Sequence, residues 1–181
     1  MSTIEGGFVT TNDYQIYTYL LSIRSHGWTR DYSTEEGFYK DFNFIHDGFN
    51  VRNTEVGAFL GLRQLDNLDE VLKRRGYISI LYNKYLYNTF WKLMIDVPLF
   101  AYPVIHPDRE LIIEALREVC RTRPLLGGNM LRQPFMLHDY KSMKFADVIH
   151  DYGFYVPCHQ DMTEEDVKQI TDIINDFTHR T

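Results

Sequence analysis

The residues best suited to chemistry lie in three short stretches: "TIEGG" at 3–7, "RSHGWTR" at 24–30 and "TRPLLGGN" at 122–129. Each offers a glycine-shaped backbone, or arginines beside glycine or proline, and so the means to grip a phosphate-bearing anion. Taken singly, each also reads as a turn with solvated arginines, and Gly6-Gly7 alone marks a tight backbone approach as readily as a phosphate cradle. Their joint occurrence is what points to an anionic ligand. Other chemistries lack their residues. His26, His46, His106, His138, His150, His159 and His179 are scattered without paired ligand spacing, so no metal site is expected. No nucleophile elbow, P-loop or dinucleotide fingerprint occurs.

Composition narrows the classes further. With 181 residues, 44% of them hydrophobic, the chain holds enough apolar material for one globular domain, or one domain plus a fragment. A net charge of -6 excludes the broad positive field that nucleic acid or an acidic membrane would need. Two cysteines, Cys120 and Cys158, form neither a metal motif nor a disulfide scaffold, which favours a reducing, cytoplasmic setting. No apolar run is long enough to span a bilayer, and no signal segment opens the chain. The tyrosines of "YISILYNKYLYNTF" read as a packing face rather than a base-stacking platform.

The elements that must position these stretches follow from caps and periodicity. A strand is expected at Phe8–Thr11, then a helix capped by Asn12 or Asp13, with Ile16, Leu20 and Ile23 on one face and a stop near Gly27. Residues 28–47 read as loop, with a short strand around Phe42–Ile45. A second helix starts at Asn53-Thr54, buries Val56, Leu60 and Leu65, and breaks near Asn67. The next carries Val71, Leu72, Ile78 and Leu81, with Lys73-Arg74-Arg75 as a solvated face. Apolar runs between Phe90 and Ile105 read as one or two strands, confined by Pro98 and Pro103. A helix with Leu111, Ile112, Ala115 and Leu116 follows "HPDRE". The Gly-, Pro- and Arg-rich "RTRPLLGGNMLRQP" should be irregular. After a last strand, Thr163 and Asp166 cap a helix with the stripe Val167, Ile170, Ile173, Ile174 and Phe177. This is a mixed α/β order without repeats.

Five stretches carry a family resemblance: "MSTIEGGFVTTND", "LLSIRSHGWTRD", "DGFNVRNTEVGAFLGLRQL", "RTRPLLGGNMLRQP" and "YGFYVPCHQDMTEEDV". In this order, over nearly the whole chain, they resemble the C-terminal half of the DegT/DnrJ/EryC1/StrS family, sugar aminotransferases and dehydrases that use pyridoxal phosphate and nucleotide-linked keto sugars. The resemblance implies the C-terminal portion of a fold-type-I transferase: a remnant of the large cofactor-binding domain over 1–47, and an α+β small domain over 48–181. In the family, the stretch similar to "STIEGG" directly follows the catalytic lysine or histidine. No catalytic residue is therefore expected in this chain, and no turnover by it alone.

By the same resemblance, Asn50 reaches across a homodimer interface to the phosphate of pyridoxal or pyridoxamine phosphate. A turn asparagine before a helix would look the same. His26 and Arg30 resemble residues lining the sugar-nucleotide pocket, with Arg30 facing the diphosphate, and Arg123 resembles a second phosphate-facing arginine. "MSTIEGG" and "RSHGWTRD" look most like the 4-keto-6-deoxy sugar-nucleotide 3-dehydrases. The variety with a cysteine-ligated iron–sulfur cluster is disfavoured, since residues 28–50 contain no cysteine. The chain departs from the family at Arg121, where an acidic residue is usual, and at "YVPCH". Three readings stay open: half of a split enzyme completed by a separately encoded N-terminal piece, a catalytically dead fragment or interaction module, and an independent sugar-nucleotide-binding domain.

Overall fold

A computed structural model describes residues 2–31, 34, 36–89, 96–139 and 141–177. Met1, His179 and residues 90–95, the greater part of the apolar run "FWKLMIDV" expected as strand, lie outside them. The chain forms two compact units, Met1–Leu68 and Asp69–Thr181.

In the first unit, Asp13 caps helix α1 (Tyr14–Ile23) by accepting from the N–H groups of Gln15 and Ile16. Thr54 caps α2 (Glu55–Leu65), its hydroxyl accepting from Gly57 N–H at 3.3 Å. The expected apolar face of α2 is not its buried one. Val56 and Leu65 are exposed, and the buried positions are Gly57 and Gly61. The reason is a close backbone approach: a Cβ on Gly61 would stand 3.3 Å from Thr3 Cγ2, and one on Gly57 would stand 3.4 Å from Thr3 O. Ser2 N–H donates to Gln64 Oε1 at 2.7 Å, and Gln64 Nε2 donates back to Ser2 O, so residues 2–4 lie along the glycine stripe.

Two strand expectations in this unit fail. Residues 6–11 form no strand, and Phe8 and Val9 are exposed, because no described segment pairs with them. The strand around Phe42–Ile45 reduces to a single antiparallel bridge, Trp28 to Phe44, after a 3₁₀ turn over Lys40–Phe42.

The second unit is built on α3 (Leu68–Tyr85) and a three-stranded antiparallel sheet of order β1-β3-β2, with β1 Ala101–Ile105, β2 Arg123–Pro124 and β3 Gly153–Pro157. Alternation sends Tyr102, Val104, Phe154 and Val156 to the core. There they meet Ile78, Leu81 and Tyr82 of α3, Ile112 and Leu116 of α4 (Arg109–Leu116), and Val167, Ile170 and Ile174 of α6 (Glu164–Asp176). Each such aliphatic side chain contributes about 1.5–3 kcal/mol by leaving water. Tyr82 stacks on Tyr102 at 4.5 Å between centroids and donates its hydroxyl to Pro157 O at 2.8 Å. Burial raises the Tyr82 hydroxyl well above its ordinary pKa and pushes Tyr102 up to about 12.

The basic run of α3 is only partly a solvated face. Lys73 is exposed, but Arg74 donates to Gln160 O and Met162 O, while Arg75 donates to Leu99 O, Phe100 O and Cys158 O. These guanidiniums satisfy loop carbonyls that have no ladder to join. Helix α5 (Lys144–Tyr152) is a further addition to the sequence reading; its N-terminus has no side-chain cap, and instead Met143 N–H donates to the Asp147 carboxylate.

Candidate functional site

The candidate site of the first unit is assembled where α1 ends. Two backbone segments, 23–28 and 44–51, are laced together: Phe49 N–H donates to Ile23 O at 2.6 Å, His26 N–H to Phe49 O at 2.7 Å and Val51 N–H to Arg24 O at 3.0 Å. Ser25 and Asn50 face each other as an antiparallel bridge. So close a crossing requires glycine on both sides. Gly27 has φ of 83°, and a Cβ there would fall 1.7 Å from His46 O; a Cβ on Gly48 would fall 2.2 Å from Gly27 N. The "HG" and "DG" dipeptides thus fix the turn that carries His26 and Asn50.

Trp28 is the centre of the cluster. The Arg30 guanidinium carbon stands 3.9 Å from its ring centroid and that of Arg52 stands 4.6 Å away, while the His26 ring meets it edge-on at 5.8 Å. Arg30 is also held by Asp41 O, which accepts from Nε and Nη2 at 3.3 and 3.1 Å. Arg24, Ser25, Trp28, Arg30, Arg52 and Asn53 line a cleft of about 400 Å³. Among the described residues its one carboxylate is Asp31, 3.7 Å from Arg24. Three permanent cations against one anion make a place for a phosphate or carboxylate, and arginine at these positions binds and orients rather than moves protons. The buried Trp28 Nε1 and Thr29 Oγ1 have no hydrogen-bond partner among the described residues.

Of the residues singled out from sequence, His26, Arg30 and Asn50 thus belong to one neighbourhood of the first unit. All three are exposed. Arg52 belongs with them and was not legible as a separate signal, though its spacing two residues from Asn50 along an extended segment puts both on one face. Arg123 belongs to the second unit, exposed on β2 opposite Tyr155. The stretch expected to be irregular instead carries β2 and two short 3₁₀ turns, Leu125–Gly127 and Met130–Arg132. Leu126, Gly127 and Gly128 all have positive φ, and Asn129 anchors the loop by donating from its N–H to His150 Nδ1 at 2.9 Å and from its amide to Asp147 Oδ1 at 2.8 Å. The Asn129 amide, then Met143 N–H, hold the Asp147 carboxyl below the usual carboxylate range.

No helix among the described residues is long and apolar enough to cross a membrane. Nor do they hold a group of three or more histidine, cysteine, aspartate or glutamate side chains placed to bind a metal ion.

The chain is 28% identical to the GDP-4-keto-6-deoxy-D-mannose 3-dehydratase of Yersinia pseudotuberculosis, over 96% of this chain and 50% of that protein. It is 24% identical to the UDP-4-amino-4,6-dideoxy-N-acetyl-beta-L-altrosamine transaminase of Campylobacter jejuni, over 96% of this chain and 48% of that one. The fold superposes on the Escherichia coli GDP-4-keto-6-deoxy-D-mannose-3-dehydratase, solved with hydrated PLP bound, with a TM-score of 0.81 at 24% identity, covering 96% of this chain and 51% of that one. The chain spans about half the length of the curated relatives it matches. With residues 1–175 matching its pattern, the chain belongs to the DegT/DnrJ/EryC1/StrS aminotransferase family.

Proposed function

We propose that this chain is the C-terminal part of a pyridoxal-phosphate-dependent enzyme that dehydrates or transaminates a nucleotide-linked 4-keto sugar in the cytoplasm. Residues 1–47 belong to its large domain and residues 48–181 to its small domain. The observation that carries this reading is the arginine cluster around Trp28, with Asn50 on the adjoining bridge, in a chain of this family.

The residues present fit the phosphate end of the cofactor and not its reacting end. Among the described residues the cleft's donors are guanidinium, amide, hydroxyl and indole groups, and none that line it is an amine. Bound in the completed fold, the cofactor supplies the electron sink. This chain's residues do the holding. Asn50 offers its amide to the cofactor phosphate of a neighbouring subunit. Arg30, kept in place by Asp41 O and the Trp28 ring, faces the substrate diphosphate, and His26 lines the pocket beside it. Arg123 supplies a second cation to the nucleotide-linked substrate. The catalytic lysine or histidine comes from the other half of the fold, whether on the same polypeptide or another.

The test is to assemble the chain with the N-terminal half of the Yersinia relative and titrate GDP-linked sugar into parent and Arg30→Ala complexes. Affinity falling about tenfold or more in the variant supports the reading. Equal affinities contradict it. A second reading, a catalytically dead fragment serving as an interaction module, is favoured by the exposed Phe8, Val9, Phe38, Tyr39 and Phe49 of the first unit.

A further inference from the structure

Residues 2–4 are held by helix α2 more firmly than an exposed stretch requires. Gly57, Gly61 and Gln64 recur at spacings of four and three, which puts them on one face of the helix. The two glycines leave room for Thr3 to lie against that face, and Gln64 closes its far end. The Gln64 amide meets the Ser2 backbone at two points: Oε1 accepts from Ser2 N–H at 2.7 Å, and Nε2 donates to Ser2 O. Leu60 O, 3.4 Å from Nε2, steadies the amide on its own helix. A side-chain amide paired with both the N–H and the C=O of one residue copies the pairing of neighbouring strands. It therefore fixes the orientation of that backbone as well as its position.

Directly after this clasp, Ile4 has φ of 72°, a left-handed conformation in which a β-branched residue is an outlier. Its side chain is 72% exposed, so no burial of its own offsets the strain. The turn persists because the clasp and the glycine face dictate it. Backbone strain of this kind concentrates where geometry serves function. Helix α2 begins at Glu55, three residues after Arg52 of the Trp28 cluster. One rigid element thus holds both that cluster and residues 2–4 in register.

We propose that Gln64 is a positioning residue: by fixing the Ser2 backbone it sets the direction of the chain immediately ahead, and with it the place of the catalytic residue. The inference rests on the reading above, under which that residue directly precedes "STIEGG". The test fuses the N-terminal half of the Yersinia relative ahead of Met1 and compares the parent with Gln64→Ala, Gln64→Met, Gln64→Glu and Arg63→Gln, an exposed neighbour on α2. Circular dichroism confirms the fold of each. Gln64→Met keeps the bulk and loses both bonds, whereas Gln64→Glu keeps the acceptor. In the alanine and methionine substitutions kcat should fall about tenfold to a hundredfold. KM for GDP-4-keto-6-deoxymannose should stay within about twofold. Residues 2–6 should exchange their amide hydrogens faster, as read by mass spectrometry. Gln64→Glu should lose less, and Arg63→Gln nothing. Parent kcat in Gln64→Met would show that packing and not the paired amide matters, and unchanged exchange in Gln64→Ala would show that no clasp forms. Either result, or a loss carried by KM, overturns the inference. A parent fusion without turnover would sink the nucleotide-sugar reading and this inference with it. An active parent indifferent to Gln64→Ala would sink this inference alone.

Discussion

Arg30 and Arg52 reach the same tryptophan from opposite ends of a 23-residue stretch, a convergence that only folding reveals. His26, Arg30 and Asn50 were singled out through the family resemblance of "RSHGWTR" and "GFNVR", and folding brings the three into one neighbourhood. Arg52 was not, since one more arginine ahead of a helix looks solvated until Trp28 is placed beneath it. At the same scale, the capping box of α6 was fully legible: Thr163 N–H and hydroxyl donate to Asp166 Oδ2 at 2.7 and 2.8 Å. The backbone donor, then the hydroxyl, hold the Asp166 carboxyl below its ordinary range. A carboxyl that ionises at lower pH folded than unfolded contributes fully above the ordinary range, about pH 4. That contribution disappears as pH falls through the lowered value. Thr163→Ala should therefore cost about 1 kcal/mol at neutral pH. Asp166→Ala should also destabilise there, and its urea midpoint should converge on the parent's in acid. A gap constant from neutral to acid pH would contradict this.

Helices were more legible than strands because caps and 3.6-residue stripes are local, whereas a strand exists only with its neighbour. Asp13, Thr54 and Thr163 all cap as their side chains suggest. Phe8–Thr11 has strand composition but no described partner, and β2 keeps only two residues because Pro124 interrupts the ladder. Helix α5 escaped notice because no side chain caps its start. Within the first unit, the crossing of 23–28 over 44–51 depends on glycine at 48. Gly48→Ala would drive a methyl group into Gly27 N and His26 C, backbone atoms that cannot rotate away. The variant should lose protection of the His26 and Val51 amides in hydrogen exchange while the core of α6 keeps its own. Unchanged protection at both amides would show that the crossing does not need the glycine.

At the scale of the whole chain, the two units differ in how they treat apolar surface. The second encloses Ile78, Tyr82, Ile112, Phe154 and Ile174 completely while leaving Phe100 76% and Phe135 67% exposed, whereas the first encloses no large apolar side chain among the described residues and leaves Phe8 84%, Phe38 90% and Phe49 65% exposed. Surface of that kind is normally covered. The isolated chain should bind a dye that fluoresces on apolar surfaces and should self-associate as concentration rises. A monomer that binds no dye at any concentration would mean this surface is self-sufficient. That exposure, with a match to about half of each relative, supports the proposed completion by the other half of the fold.

The direct measurement is reconstitution. The chain is co-expressed with the N-terminal half of the Yersinia relative, purified, and assayed for bound cofactor absorbance and for consumption of GDP-4-keto-6-deoxymannose. The expected result is a stable complex that retains pyridoxal phosphate and turns over the sugar, with neither half active alone. Turnover by this chain without a partner, or a stable complex that holds neither cofactor nor nucleotide sugar, would contradict it.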